Sequence, residues 1–515
     1  MDMPTAKANY VGRILAGLAD DPDRIAFHLV DGSHVRHGEF ADLIHRLAHV
    51  LAEHGVRAGS TVTFLSGNRF EVLAARYAAN LLGARIVFLY GGLAVDAQAT
   101  IVSDVDTGVL VVDDDLADRA ARILALTSVD TVFSLGSASV GADLLELAAA
   151  APDSPVPVCP VSPTDAWSIR HTGGTTGHPK GILMPFGGYL VRPEQHTDEE
   201  GGGLVEDPVF LACTTVAHAA GLIVDMTLIG GGTIVLHERF DPSAVLAAIP
   251  RHRVTALFLL PPLLYQLVDH PSLDSTDLSS LSRVVYGGCA AAPSRLARAI
   301  DRLGPVLFQF YGQSEAGGIS MLTEQDHLRP ELLSTVGRVM PGVEIAIRDE
   351  EGRDLPRGTV GEICVRSAMI SGGYWRNPEL TAEVWRDGWV HTGDVGHLDD
   401  EGYLHLSDRI KDMIIVVGGH VYPTELEDVL LGHPAVAQAA VYGVRDADAV
   451  ERVHAALVTN PGHRPELAEI QRYVESRLGP MYAPSHIEIL DEIPLTDAGK
   501  PDKKVLRQRH MGATH

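Results

Sequence analysis

His171-Thr172-Gly173-Gly174-Thr175-Thr176-Gly177-His178-Pro179-Lys180-Gly181 is the stretch on which the reading of this chain turns. It follows Trp167-Ser168-Ile169-Arg170, which reads as a short strand. Four glycines and three threonines in eleven residues make a poor helix and a poor core segment. The same composition can turn successive backbone N–H groups toward an anion, with threonine hydroxyls and one lysine as further donors. A polyphosphate fits that description. The common P-loop pattern is not met, because Lys180 is preceded by proline and followed by glycine rather than by Ser or Thr. A plain surface turn is the competing reading of the loop taken alone.

Working outward, 515 residues exceed what one compact core organises, so at least two domains are expected. Hydrophobic residues at 46% and charged residues at 21% fit a globular protein and not a disordered one. A net charge of −26 disfavours nucleic acid or an anionic membrane as a standing partner. There are six lysines, and arginine supplies the other 35 basic residues. A lysine kept inside a glycine-rich stretch therefore suggests a need for a compact ammonium. Cys159, Cys213, Cys289 and Cys364 have no metal-ligand spacing and read as small buried hydrophobes in a reducing compartment. Met1–Tyr10 lacks the apolar core of a signal peptide, and the apolar run Ala256–Val268 is too short to span a bilayer. A cytoplasmic protein without stable membrane insertion is expected.

Upstream of the loop, helical periods (Val11–Leu18, Phe40–His54, Phe70–Leu82) alternate with strand-like runs (Thr61–Leu65, Ile86–Tyr90, Gly108–Val112), and Ala148–Pro160 reads as a linker. Downstream, Gly187–Gly203 reads as a polar surface segment. Val209–Cys213, Thr233–Leu236, Ala256–Leu260 and Arg283–Tyr286 read as buried strands, each followed by a helix. That alternation predicts an α/β domain of parallel-rich sheets with helices on their faces. From about residue 340 the texture becomes β-hairpins, including Val343–Ile347 and Glu362–Val365. The tail then reads β–α–β–β–α–β over Met413–Val417, Thr424–Leu431, Ala437–Val444, His454–Thr459, Glu466–Leu478 and His486–Leu490, a small α+β unit. It ends in the polar loop Pro494–Lys504. The domain division expected is 1–409, a hinge at 410–411, and 412–515.

Ligands of open α/β sheets bind beyond the carboxyl ends of strands. Three such ends carry candidate chemistry: Ala217-His218-Ala219-Ala220-Gly221, Gly287-Gly288-Cys289-Ala290 and Tyr311-Gly312-Gln313-Ser314-Glu315. Each has a bland reading: a satisfied structural histidine, a core tyrosine, or a glutamate capping a following helix. Further on stand Gly372–Pro378, Trp389-Val390-His391-Thr392-Gly393-Asp394, Leu404–Arg409 and Gly499-Lys500-Pro501-Asp502-Lys503-Lys504.

This ordered set, spread over essentially the whole chain, resembles the adenylate-forming superfamily of acyl-CoA synthetases, luciferases and peptide-synthetase adenylation domains. The resemblance implies a large N-terminal domain with a β-rich subdomain and a small mobile C-terminal lid. It implies that Thr172, Gly173, Gly174, Thr175, Thr176, Gly177 and Lys180 hold the β- and γ-phosphates of ATP. Tyr311, opposite Gly288, Cys289 and Ala290, would stack on adenine, with Gly312, Gln313 and Ser314 beside it. Glu315 and the Thr175 hydroxyl would hold Mg²⁺. Asp394 would accept hydrogen bonds from the ribose hydroxyls, assisted by Arg409. His218 would line the acyl pocket with Gly287 and Gly312, and Lys500 would bridge the carboxylate and the α-phosphate. Lys411 matches the hinge position, and Gly418, Gly419 and His420 match the segment passed by coenzyme A.

The expected activity is an acid–CoA ligase: carboxylic acid, ATP and CoA give acyl-CoA, AMP and pyrophosphate through an acyl-adenylate. Four departures (His171, Gly173, Ala217 and Ser314) fall on the nucleotide and acyl side, which motivates an alternative enzyme that uses a preformed acyl-adenylate and makes only the thioester. A non-enzymatic acyl-nucleotide binder is a third reading, disfavoured by the joint presence of Lys500, Glu315 and Asp394. Small residues at Ala217, Ala219, Ala220, Gly221 and Gly312 suggest a roomy pocket and a bulky, alicyclic or aromatic-sized acid. Homodimers are common in the superfamily, and the resemblance leaves that assembly open here.

Overall fold

Strands such as Val109-Leu110-Val111-Val112-Asp113 are buried along their whole length, as expected of parallel strands covered by helices on both faces. The computed structural model describes residues 9–89, 93–172, 180–189, 207–409, 413–416, 419–445, 451–496 and 499–513. Among these, a seven-stranded sheet runs in the order Ala142–Asp143, Thr131–Leu135, Val109–Asp113, Thr61–Leu65, Arg85–Phe88, Ala166–Thr172, Lys180–Pro185. Its pairs are parallel except the last, which joins the strand before the glycine-rich loop to the strand after it.

A nine-stranded sheet carries the parallel set Ile25–His28, Thr233–Leu236, Val209–Ala212, Ala256–Leu259, Arg283–Gly287 and Leu307–Gln313, with antiparallel strands at both edges. The largest core cluster joins the two sheets through the helices Val11–Asp20, His37–Glu53, Phe70–Leu81 and Ala219–Ile229. A five-stranded antiparallel sheet follows, built on Val343–Arg348, Gly361–Ser367 and Trp389–Leu398. The C-terminal elements have a core of their own around Leu426, Val441, Leu457 and Ile470.

The α/β reading is borne out, with differences in detail. The helix Leu144–Ala150 takes the first residues of the expected linker, because Asp143 caps it through Leu145 N and Glu146 N. No helix follows Glu315: Gly317–Leu322 folds back as a strand on Leu307–Gln313. The strand expected over Met413–Val417 is present as Ile414–Val416, and it pairs in a hairpin with a further strand, Gly419–Val421. A helix, Lys503–Ala513, begins inside the expected terminal loop; Asp502 caps it, and among its described side chains Leu506 alone is fully buried. No helix among the described residues is long and apolar enough to cross a membrane.

Candidate active site

Gly287 ends one central strand, and a Cβ there would sit 2.2 Å from the Phe310 carbonyl oxygen of the next. Only glycine allows that approach, and the chain then turns at Gly288 with φ of +88°. Gly312 is confined in the same way, 2.4 Å from the Gly317 carbonyl, where the ladder shifts register after Tyr311. The smallness of these residues therefore serves backbone packing, and neither lines the cleft beside His218. Gly221, which lines that cleft, is confined likewise: a Cβ there would meet the Val216 carbonyl at 2.0 Å.

The register shift aims Tyr311 and Gln313 at one carboxylate. Tyr311 Oη donates to Asp394 Oδ2 at 2.6 Å, and Gln313 Nε2 donates to the same oxygen at 2.5 Å and to the Thr392 carbonyl at 3.1 Å. Asp394 is buried, and its backbone pairs with Arg409 across the ladder. Glu362 fixes the turn before it, accepting from Gly393 N at 3.2 Å and standing 2.7 Å from His391 Nδ1. Two strands and a turn, distant in sequence, thus converge on the expected adenine and ribose groups.

Glu315 lies in the turn after Gln313. Its carboxylate accepts a hydrogen bond from Tyr374 Oη at 2.9 Å, and its carbonyl accepts from Ser371 N at 3.0 Å. Lys180 Nζ stands 6.0 Å from the centre of the Tyr374 ring. The end of the glycine-rich loop and the expected cation-binding carboxylate therefore share one neighbour. A single oriented carboxylate is a fitting partner for Mg²⁺, which commonly takes its other ligands from water and substrate phosphates.

Lys500 arrives from the C-terminal unit on a tight loop. Gly499 N donates to Thr496 O, Thr496 N to Lys500 O, and Asp502 N to Pro494 O, each at 2.7 Å. Gly499, with φ of +73°, rests its Cα on Leu260, so that a Cβ would approach Leu260 Cδ1 to 3.1 Å. Lys500 Cε lies 3.9 Å from the point where a Cβ on Gly288 would begin. Burial, helped by the charges of Arg170 and Lys500, pushes the His218 imidazole down to about 3, so His218 is neutral at physiological pH. Burial raises the Cys289 thiol to about 12 against the opposing pull of Lys500, which leaves it protonated and no nucleophile. Positive charge at this edge comes from Lys500 and from Arg170, which stacks on Trp167 at 5.3 Å and lines the cleft beside His218.

The structure brings together His218, Gly288, Cys289, Lys500, Tyr311, Gln313, Asp394 and Glu315. Gly173, Gly174, Thr175, Thr176, Gly177, Lys411 and Gly418 lie outside the described residues, and the side chains of Thr172, Arg409 and His420 are likewise not described. His171 is buried, its ring packs near Gly181, and neither nitrogen has a partner among the described residues. Tyr374, Glu362 and His391 escaped the sequence reading as functional groups. Tyr374 stood inside a noted motif, but its bond to Glu315 spans 59 positions and leaves no local signal.

Comparison with known proteins gives the family of the chain. The model of the AMP-binding enzyme family matches residues 16–375, and that of the AMP-binding enzyme C-terminal domain matches 425–500. The medium/long-chain-fatty-acid–CoA ligase FadD8 of Mycobacterium tuberculosis is 37% identical, over 92% of this chain and 85% of that protein. A feruloyl-CoA synthase of an Amycolatopsis species is 35% identical, over 96% and 99%. The amide bond synthetase McbA of Marinactinospora thermotolerans superposes with a TM-score of 0.88 at 40% identity, over 98% of this chain and 99% of that one.

Proposed function

The chain belongs to the family of AMP-binding enzymes, and from that premise we propose that it is an ATP-dependent, AMP-forming acid–CoA ligase. The observation that carries the reading is the placement of Lys500, delivered by the C-terminal unit to within reach of Gly288 and His218. A carboxylate is already a nucleophile, so the chemistry needs no Ser or Cys triad. The obstacle is the approach of one anion to another. In the first step a carboxylate oxygen bonds to the α-phosphorus and the bond to pyrophosphate breaks. Lys500 offsets the charge gathering on the carboxylate and α-phosphate oxygens, as a preorganised cation does in a partly desolvated site. Neutral His218 packs beside the acyl carbon and adds no competing positive charge. Asp394 takes the ribose hydroxyls, with Tyr311 and Gln313 holding the carboxylate in place. Glu315, with Thr175, would hold Mg²⁺, which neutralises phosphate charge and orients the leaving group.

In the second step the CoA sulfur bonds to the acyl carbon and AMP leaves. Lys500 belongs to step one alone, so the C-terminal unit, hinged near Lys411, turns to present the Gly418–His420 segment to the pantetheine chain. A cytoplasmic monomer or homodimer is the expected setting. The test is direct: purified protein with ATP, Mg²⁺, CoA and an acid panel yields AMP and thioester in equal amounts. Absence of both across the panel rejects the proposal.

One observation favours a second reading of step two. The chain aligns at 40% identity over nearly its full length with a protein described as an amide bond synthetase. An amine would then replace the thiol as acceptor, with adenylation unchanged. Parallel reactions with CoA and with a series of primary amines decide between the acceptors.

A further inference from the structure

Pleat and register gather three metal-ligating side chains on the five-stranded sheet. Glu362 and Cys364 are two residues apart on the strand Gly361–Ser367, so their side chains leave the same face. His391, on Trp389–Leu398, is the ladder partner of Cys364. Its Nδ1 stands 2.7 Å from Glu362 Oε2 and 3.4 Å from Cys364 Sγ, and one ligand atom from each of the three lies within 4.8 Å of the other two. Cys364 is fully buried, whereas the side chains of His391 and Glu362 are 10% and 19% exposed, so the cluster opens to solvent on its carboxylate side.

A hydrogen bond between Glu362 and His391 is enough to brace the turn before Asp394, and it needs no thiol. The third member and its surroundings point further. Imidazole, thiolate and carboxylate together are the donor set of a zinc-class cation, each about 2.0–2.3 Å from the metal. Donor atoms 2.7 and 3.4 Å apart can share one such centre after small side-chain adjustments. Glu362 has no lysine or arginine within ion-pair distance among the described residues. Arg348, its neighbour in the ladder, instead donates from Nε to Asp354 Oδ1 at 2.8 Å. On the other side of Cys364 the ladder partner is Ala346, which brings no competing polar group. We propose that Glu362, Cys364 and His391 form a binding site for one zinc-class divalent cation, which clamps the turn Thr392-Gly393-Asp394 to the neighbouring strand. Thiolate and carboxylate offset the two positive charges, and water takes the remaining position on the exposed side. Glu362 Oε2 and His391 Nδ1 exchange their mutual hydrogen bond for the metal, while Oε1 keeps its bond from Gly393 N at 3.2 Å. The imidazole proton then resides on Nε2 and the thiol proton passes to solvent, so entry of each ion releases about one proton. This site is separate from the Mg²⁺ expected at Glu315, and it does not depend on the ligase reading.

The test uses the full chain, stripped with a chelator, dialysed, and titrated with Co²⁺ or Zn²⁺ alone. Co²⁺ is expected to give a thiolate-to-metal charge-transfer absorption band that Zn²⁺ removes and excess Mg²⁺ leaves intact. Cys364→Ser loses the band, and its affinity for Zn²⁺, measured by competition with a chromophoric chelator, falls about 10–100-fold. Saturating Zn²⁺ raises the melting temperature of the native protein by at least about 2 °C and that of Cys364→Ser by less than half as much. Should Cys364→Ser not fold, Glu362→Gln, which keeps shape and hydrogen bonding, is read for the same loss of affinity. No band in the native protein, erasure of the band by Mg²⁺, or a band, Zn²⁺ affinity and thermal shift that survive the substitution overturns the proposal; the last result marks ions held by other cysteines and histidines of the chain.

Discussion

Replacing Lys500 by alanine separates the two half-reactions, and the structure sets the size of the effect. The loop that carries Lys500 is held by main-chain bonds between Thr496, Gly499, Lys500, Asp502 and Pro494, and by the seat of Gly499 on Leu260. None of these uses the ammonium, so the substitution removes charge without dismantling the loop. A unit charge about 4 Å from charge developing on the reacting oxygens is worth about 4 kcal/mol at an effective dielectric of 20. Loss of one preorganised donor of this kind costs on the order of 10²–10³ in rate. Adenylation, followed as acid-dependent exchange of labelled pyrophosphate into ATP, is therefore expected to drop by about 10²–10³. Thioester formation from synthetic acyl-adenylate and CoA is expected to stay within about three-fold, because Lys500 has left the site in that step. Circular dichroism and the melting temperature check that the fold survives. Equal losses in both half-reactions, or adenylation within a few-fold of native, would refute the assignment of Lys500 and the lid movement together.

Three further perturbations probe other parts of the site. Tyr374→Phe removes a hydrogen bond to the Glu315 carboxylate, worth about 1.5–3 kcal/mol for a charged acceptor, and should raise the Mg²⁺ concentration for half-maximal adenylation by about ten-fold or more; an unchanged Mg²⁺ titration contradicts that role. Asp428, on the C-terminal helix Pro423–Leu431 and near Tyr265, is raised to about 8 by burial, with Glu427 and Glu425 adding to the shift. The arrangement described binds the extra proton between the ordinary carboxylate pKa and about 8, so it weakens as pH rises through that window. Adenylation should then decline toward pH 8 in the native enzyme and decline less in Asp428→Asn, as pH–rate profiles of the two would record. His171 is lowered to about 4 by burial, so the unfolded chain binds more protons between about 4 and 6.5, and stability falls as pH drops through that interval. His171→Leu should flatten this part of the melting temperature–pH curve; an identical slope places the acid sensitivity elsewhere.

Much of the candidate site was legible because its chemistry is local in sequence. Glycines and threonines around Lys180 suggest an anion site by composition, whereas the expected roles of the turn Tyr311–Glu315, Asp394 and the Gly499–Lys504 ending came from their order along the chain and its resemblance to the adenylate-forming superfamily. Helix Lys503–Ala513 was missed although Asp502 offered a cap, because one buried leucine gives a thin amphipathic signal. Glu315 was weighed as a helix cap because acidic residues favour that place, and the returning strand Gly317–Leu322 won through long-range pairing that no propensity encodes.

The sequence alone determined the alternation of strands and helices and the glycine-rich loop, since periodicity and composition act over a few residues; the residues expected to handle ribose and carboxylate followed from the resemblance to the adenylate-forming superfamily. Only the tertiary structure decided that Tyr311 and Gln313 share one oxygen of Asp394, and that Gly221 and Gly312 are small because backbone crosses them. Those facts depend on how sheets pack on helices far apart in the chain, where distances of 2–4 Å fix the chemistry and sequence spacing carries no record of them.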